Sequence, residues 1–189
     1  SQDPFFIKIL NFISGRNENV YLIGGYLRDL LIGHRSNDID LSLKGDVINY
    51  GRLMADYLKG SFVLLDDVHQ VVRVVIKEGK VVRTVDFAEI ETDIENDLTR
   101  RDFSINALAL DLKKFIKDKK FSLSDIIDVT DGLADLEDKR IYAVSSNIFK
   151  EDPIRLLRLL RIGHKLGFLI DEKTKLLAVK NSHLIKKEK

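Results

Sequence analysis

Two aspartates, Asp38 and Asp40, stand one residue apart in a stretch typical of a β-strand. Because side chains alternate between the two faces of a strand, both carboxylates project to one side, while Ile39 and Leu41 point to the other. Neighbouring carboxylates repel each other unless a cation lies between them, and their oxygens suit Mg²⁺, which commonly shares its ligands with substrate phosphates. We therefore predict a magnesium site on this strand.

A glycine pair precedes that strand. Gly24 and Gly25 let the backbone approach an anion closely, and their N–H groups could bind phosphate oxygens. Arg28, one helical turn further on, could add a guanidinium group. A lone Asp-x-Asp is usually a solvated strand edge, and a lone Gly-Gly is usually a turn. Their combination within the seventeen residues 24–40 favours phosphoryl or nucleotidyl transfer.

Hydrophobic periodicity predicts the elements that position these groups. The expected helices cover residues 4–15, Tyr26–Ile32 and a segment with Asp46 as N-cap that runs to about Leu58 and ends at Gly60. The expected strands are Val20–Ile23, residues 38–43, Phe62–Leu65, Val71–Lys77 and Lys80–Phe87, with a hairpin at Glu78-Gly79. If the last strand lies beside the aspartate strand, Asp86 could be a third metal ligand, although an aspartate at a strand end is also commonly a cap.

Two further segments carry arginines. Arg100-Arg101-Asp102 precedes an apolar run, which in most proteins would be a salt-bridged turn. Functionally, Arg101 could contact a triphosphate, and Asp102 or Asn106 could hydrogen-bond a ribose or hold that arginine. Near the end of the chain, Pro153 begins a helix whose Arg155, Arg158 and Arg161 recur every three residues, a stripe that is solvated in most helices. Between these segments, Thr130 or Asp131 is expected to cap a short helix, and one more helix is expected from Asp171.

Composition excludes several classes of function. The 189 residues contain no cysteine, which rules out disulfides and thiolate metal sites, and no segment is typical of a membrane span or signal peptide. We therefore expect a cytoplasmic protein without membrane partners. With 31 basic and 30 acidic residues, net charge predicts no general affinity for nucleic acid, so any such binding would depend on local patches. The four histidines follow no ligand spacing.

Four motifs in order resemble the head and neck of class II (bacterial-type) tRNA nucleotidyltransferases, whose motifs bacterial poly(A) polymerases share. They are Gly24-Gly25-x-x-Arg28-Asp29 with Asp38-x-Asp40, Arg100-Arg101-Asp102-Phe103-x-Ile105-Asn106-Ala107, Asp131-Gly132-x-x-Asp135-Leu136, and Glu151-Asp152-x-x-Arg155. The resemblance covers residues 19–170. It implies an α/β fold, a nucleotidyltransferase (polymerase β-like) head with a mixed sheet at residues 1–138, and the start of an all-α neck at 139–189. The body and tail domains of the family are expected to lie outside this chain.

The resemblance also implies an activity, the metal-dependent, untemplated addition of C, C and A to the 3′ end of tRNA from CTP and ATP. Asp38 and Asp40 would hold two Mg²⁺ ions, and Gly24, Gly25, Arg28 and Arg101 would bind the triphosphate. Asp152 and Arg155 would pair with the edge of the incoming base, assisted by Arg158 and Arg161. An aspartate acceptor and an arginine donor can imitate a complementary base edge.

The segment from Ala88 to Thr99 is short and acidic, whereas members that finish with A carry a longer flexible loop here. We therefore favour CC addition over CCA addition. Two alternatives stay open: a bacterial poly(A) polymerase with the same chemistry, and a nucleotide- or RNA-binding module without turnover.

Overall fold

The computed structural model describes residues 3–187. The first elements along the chain are α1 (Pro4–Ser14), β1 (Val20–Ile23), α2 (Gly24–Leu31), β2 (Asp38–Leu43), α3 (Val47–Leu58), β3 (Ser61–Asp66), β4 (Val71–Glu78) and β5 (Val81–Glu89). They are followed by α4 (Ile94–Thr99), β6 (Leu108–Asp111), α5 (Leu112–Asp118), β7 (Ile126–Asp128), α6 (Gly132–Glu137), β8 (Arg140–Ile141), α7 (Ile148–Glu151), α8 (Ile154–Leu166), β9 (Leu169–Ile170) and α9 (Glu172–Asn181). Short 3₁₀ turns lie at Ser104–Asn106, Leu123–Asp125 and Ser182–Lys187.

A mixed sheet of seven strands within residues 3–187 has the order β3-β4-β5-β2-β1-β6-β7. Strands β2 and β5 run parallel, whereas β3–β4, β4–β5, β1–β2 and β1–β6 pair antiparallel. The mixed sheet with helices confirms the predicted α/β class. The conditional placement of β5 beside β2 is also confirmed, and it sets Asp86 opposite Asp40.

The chain divides into two compact units. The first comprises the residues up to Ile94 together with Ala109–Ile127, and the second comprises Glu95–Leu108 together with the residues from Asp128 onward. The predicted functional boundary between residues 138 and 139 stays a prediction. Residues 1–2 of the predicted head and residues 188–189 of the predicted neck lie outside the described part of the chain.

In the first unit, apolar side chains from helices α1 and α3 cover one face of the sheet. Phe12 of α1 meets Tyr50 of α3 edge-on with ring centroids 5.4 Å apart, and Tyr50 meets Phe87 of β5 at 5.7 Å. Such pairs add stabilisation beyond that of their buried area. On β2, Ile39 and Leu41 are each 1% exposed, so this strand contributes one face to the core and leaves the other to its aspartates.

Helix α3 begins as predicted, because Asp46 accepts a hydrogen bond from the backbone N–H of Asn49 at 2.9 Å. Its end differs from the prediction. Lys59, not Gly60, takes the left-handed conformation at φ 55°. Gly60 serves close packing instead, since a Cβ there would lie 2.9 Å from the carbonyl oxygen of Val75.

In the second unit, helix α8 buries Leu156, Leu159 and Ile162 along one face. Phe103 and Phe149 are fully buried with ring centroids 6.5 Å apart. The helix predicted from Asp171 is present as α9, and the Asp171 carboxylate caps it by accepting from the N–H groups of Lys173 and Thr174. Of the helices that the structure describes, none is long and apolar enough to span a membrane.

The helix α6 is capped differently from the prediction. Asp131 occupies the N-cap position, but its side chain makes no capping hydrogen bond. The carboxylate of Asp128 accepts instead from the backbone N–H groups of Thr130, Gly132 and Leu133 at 2.9–3.1 Å. Asp131 provides backbone geometry, since its φ of 59° is one that aspartate tolerates better than most residues.

Candidate active site

Asp38 and Asp40 lie on the face of β2 opposite the core. Asp38 is exposed and Asp40 is partly exposed. The hydroxyl of Thr84 on β5 donates to Asp38 Oδ1 at 2.8 Å, so one carboxylate is oriented from the neighbouring strand. The alternation predicted for this strand therefore places two carboxylates side by side on an accessible surface.

Asp86 and Arg73 form an ion pair on the next two strands. Arg73 Nε donates to Asp86 Oδ1 at 2.8 Å, and Nη2 donates to Oδ2 at 2.7 Å. Hydrogen bonding to Asp86 raises the pKa of the Arg73 guanidinium, and the negative charges of Asp86, Asp38 and Asp40 raise it further. The charge of Arg73 therefore interacts with both candidate metal ligands, Asp38 and Asp40.

The glycine turn borders the carboxylates. A Cβ placed on Gly25 would lie 3.7 Å from Asp40 Oδ2 and 3.5 Å from Arg28 Nη2, so the bare backbone leaves room beside a carboxylate and a guanidinium. Helix α2 begins at Gly24 instead of the predicted Tyr26, and Gly24 takes a positive φ of 64°, which glycine adopts readily. Backbone N–H groups at the start of a helix attract anions.

Arg28 is buried, and its guanidinium is held by the adjacent carboxylate of Asp29. The distances to Asp29 Oδ1 are 2.9 Å from Nε and 2.6 Å from Nη2. A charged pair of this kind fixes the orientation of the guanidinium. Arg28 therefore contributes a fixed positive group beside Gly25.

The residues of the first unit fit a divalent cation to a limited extent. Within residues 3–187, no group of three or more histidine, cysteine, aspartate or glutamate side chains is arranged to hold a metal ion. Asp38 and Asp40 offer two carboxylates, and Mg²⁺ is commonly bound by one or two carboxylates with substrate phosphates and water completing its shell. Gly25, which has no side chain, lies beside Asp40, since a Cβ there would be 3.7 Å from Asp40 Oδ2.

In the second unit, Asp102 is the centre of a buried polar cluster. It is 4% exposed, and its Oδ1 accepts from the N–H of Phe103 at 2.8 Å and from Asn106 Nδ2 at 3.0 Å. Its Oδ2 accepts from Arg158 Nε at 2.8 Å. The expectation that Asp102 holds Arg101 is wrong, because Arg101 pairs with Asp97 at 2.7 Å.

The arginines of helix α8 differ in their surroundings. Nη2 of Arg155 donates to the carbonyl oxygen of Arg100 at 3.2 Å, and its Nε lies 3.7 Å from Asp152 Oδ2. Arg158 forms an ion pair with Asp102, whereas Arg161 is exposed. The three arginines of the predicted stripe therefore lie in three different environments. The guanidinium of Arg155 is held near the carboxylate of Asp152.

A family model described as Poly A polymerase head domain matches residues 20–142, which is more than half of the chain. The chain belongs to this family. The predicted family membership is thereby confirmed, and the matched range covers the aspartates of β2, the glycine turn and the Arg100-Arg101-Asp102 segment.

Relatives and solved structures agree with the family. The chain is 31% identical to the CCA-adding enzyme of Lactococcus lactis subsp. cremoris, covering 95% of this chain and 45% of the relative. It is 34% identical to the CC-adding tRNA nucleotidyltransferase of Synechocystis sp., covering 82% and 35%. The structure resembles the Thermotoga maritima CCA-adding enzyme complexed with tRNA, with a TM-score of 0.75, 31% identity, and coverage of 95% and 42%. The chain thus spans less than half the length of these relatives.

Sequence reasoning missed three partners of the predicted site residues: Arg73 and Thr84 in the first unit, and Asp97 in the second unit. Arg73 had a detectable signal, because it alternates with buried Val72 and Val74 and so shares a face with Asp86. Asp97 stands four residues before Arg101, the spacing of a helical ion pair. Thr84 had no signal in the sequence, because its contact with Asp38 depends on the register between β2 and β5.

Proposed function

We propose that the protein is the catalytic part of a tRNA nucleotidyltransferase that adds nucleotides from CTP to the 3′ end of tRNA, with release of pyrophosphate. The observation that carries the proposal is the carboxylate pair of Asp38 and Asp40 beside the open backbone of Gly25. Relatives named CCA-adding and CC-adding support it. Residues 1–138 would act as the head and 139–189 as the start of the neck.

The proposed roles follow from the chemistry of each side chain. Asp38 and Asp40 would hold two Mg²⁺ ions, which when bound would stabilise charge on the attacking 3′-hydroxyl and the leaving pyrophosphate. Gly24, Gly25 and Arg28 would bind triphosphate oxygens through N–H donors, and Arg101 would add positive charge.

Recognition of the base is proposed for the second unit. Asp152 accepts and Arg155 donates hydrogen bonds, so the two can match the edge of a base that offers the opposite pattern. The contacts of Arg155 with Arg100 and Asp152 support this role, because a guanidinium held in place loses little entropy on binding. Arg158 would assist indirectly through Asp102, Asn106 would steady Asp102, and Arg161 would remain available to the nucleotide.

We further propose that the enzyme adds CC and stops. Only residues 90–93 separate β5 from α4, which supports the shortened loop inferred from the sequence. Relatives named CC-adding, CCA-adding and A-adding match this chain at 29–36% identity, so overall similarity does not discriminate between them.

The experiment is primer extension on a tRNA that lacks its 3′ CCA, with CTP alone, ATP alone and both. We expect metal-dependent addition of two C residues, and loss of at least about a thousandfold in rate for Asp38→Asn or Asp40→Asn, with unchanged circular dichroism. Addition of A after the second C would overturn the CC-only version. Calorimetric binding of CTP without incorporation would favour the module without turnover.

A bacterial poly(A) polymerase is the second candidate, because the family model that matches the chain carries that description. The same assay tests it with an unstructured RNA and ATP. Repeated addition of A to that RNA, with little use of CTP on tRNA, would select the polymerase and overturn tRNA end addition.

A further inference from the structure

Arg73 occupies both oxygens of the third carboxylate on the face that carries Asp38 and Asp40. The two hydrogen bonds, at 2.8 Å and 2.7 Å, form a bidentate pair with Asp86, whose side chain is 23% exposed. The pair joins directly opposed positions on β4 and β5. Charge-assisted bidentate pairs are among the stronger and more directional interactions available to an arginine.

Asp86 is also the direct neighbour of Asp40 across the parallel pairing of β2 and β5. Adjacent strands lie about 4.8 Å apart, so the two carboxylates are within reach of one shared cation. Three carboxylates on this face would repel one another strongly without a positive charge. The Arg73 guanidinium supplies that charge from the protein itself.

We propose that Arg73 is a positioning residue that withholds Asp86 from the divalent cation, so that the cation is held by Asp38 and Asp40 alone. The proposal rests on the proposed metal-dependent function. The two hydrogen bonds take one lone-pair site on each oxygen of Asp86 and hold its carboxylate toward Arg73, and the guanidinium charge weakens the binding of a cation beside Asp86. Arg73 thereby sets both the number of protein ligands and the strength of cation binding.

A competing explanation is that the pair is a structural cross-strand contact with no influence on the cation. The side chain of Arg73 is 41% exposed, and exposed ion pairs contribute little to stability. The two explanations differ in what happens to Asp86 when Arg73 is replaced: a withheld ligand moves to the cation, whereas a structural partner does not.

The test uses the whole chain with Mn²⁺ as a probe, titrated by electron paramagnetic resonance of free Mn²⁺ without nucleotide or tRNA. For Arg73→Gln we expect binding tighter by about tenfold, which corresponds to roughly 1.4 kcal/mol. In Arg73→Gln/Asp86→Asn the gain should disappear. Arg73→Lys keeps the charge without the bidentate geometry, so we expect an intermediate gain.

Tighter cation binding in Arg73→Gln could come from ligation by Asp86 or only from loss of the guanidinium charge. The number of waters bound to the cation distinguishes the two. With Tb³⁺ as a second probe, luminescence lifetimes in H₂O and D₂O should show about one or two fewer bound waters in Arg73→Gln than in the parent, because a carboxylate oxygen replaces them. The double variant should recover the parental count. An unchanged water count in Arg73→Gln, or tighter Mn²⁺ binding that survives in the double variant, would overturn the proposal.

The variants Asp38→Asn and Asp40→Asn make a failure interpretable. If these variants retain parental Mn²⁺ affinity, the proposed metal site itself is wrong. If they lose Mn²⁺ binding while Arg73→Gln behaves like the parent, the role of Arg73 alone is wrong. Thermal unfolding of each variant verifies that the sheet is intact.

Discussion

Arg158 donates through Nε and Nη2 to a single oxygen of Asp102, at 2.8 Å and 2.7 Å. The other oxygen of Asp102 accepts from the N–H of Phe103 and from Asn106, so the carboxylate receives four donors. A carboxylate offers about four lone-pair sites. Asp102 is therefore saturated, which favours its role in holding Arg158 and Asn106 over a direct hydrogen bond to a ribose.

Replacement of Asp102 should be costly for folding. For Asp102→Ala we expect the free energy of unfolding to fall by about 2–3 kcal/mol, because buried donors lose their acceptor. Asp102→Asn keeps one acceptor oxygen and should cost about half as much. Urea denaturation measures both. A loss below about 1 kcal/mol for the alanine variant would contradict the saturated arrangement.

The cap of helix α6 gives a matched comparison. Asp128→Asn removes one carboxylate oxygen that accepts backbone N–H bonds, so we expect a loss of about 1–2 kcal/mol in the free energy of unfolding. Asp131→Asn removes the same charge three residues away but no capping bond, and asparagine also tolerates a φ of 59°. We expect a change within about 0.5 kcal/mol. Equal losses in the two variants would show that charge, not capping, is responsible.

These residues also show how far sequence reasoning reaches. Alternation of apolar residues and a local cap predicted β2 and α3, because both signals lie within a few residues of each other. The sequence did not show that Asp128 caps α6 and Asp131 does not. The difference depends on the left-handed backbone of Asp131, which no side-chain pattern reveals. The bond from Arg158 to Asp102 joins residues 56 positions apart and requires the folded second unit. Short-range patterns thus predicted the elements, while long-range ion pairs such as Arg158–Asp102 required the tertiary structure.

Two glycines of the second unit should respond oppositely to alanine. A Cβ at Gly132 would lie 2.2 Å from the carbonyl oxygen of Ser104, so the backbone must shift. We expect Gly132→Ala to lower the free energy of unfolding by more than about 2 kcal/mol. Gly163 lies inside α8, where a Cβ would meet its nearest neighbour at 3.7 Å. Gly163→Ala should raise stability by about 0.5–1 kcal/mol, and a loss there would contradict the packing described.

Substitutions at the two glycines of the turn should affect different properties: Gly24→Ala should affect stability, and Gly25→Ala should affect nucleotide binding. Gly24 has φ 64°, so Gly24→Ala should cost roughly 1–2 kcal/mol of stability. Gly25→Ala meets only ordinary contacts and should leave stability unchanged, yet its methyl group lies between Arg28 and Asp40. We expect calorimetric affinity for CTP with Mg²⁺ to fall by about tenfold in Gly25→Ala. Parental affinity in this variant would argue against a phosphate site at the turn.

Asp135 should make stability depend on pH. Burial raises the pKa of its carboxyl above the ordinary value of 3.8, and the nearby charges of Asp131, Asp128 and Asp138 raise it further, while a hydrogen bond from Ser104 opposes the shift. Between 3.8 and the raised native pKa, the folded protein holds the proton more tightly than the unfolded chain. Stability from this group is therefore complete below pH 3.8 and is lost as pH rises through the native pKa.

Asp135→Asn should remove this dependence, because its amide stays neutral and still accepts from Ser104. Chemical denaturation between pH 3.5 and 7 should show the variant gaining stability relative to the parent as pH rises, with a constant difference above the native pKa. Ser104→Ala is the complementary variant: without the hydroxyl donor the pKa of Asp135 should rise further, and the loss of stability with pH should extend to higher pH. If Asp135→Asn instead lost stability relative to the parent as pH rises, the pKa of Asp135 would not be raised in the folded protein. That result would contradict the effect of burial on this carboxyl.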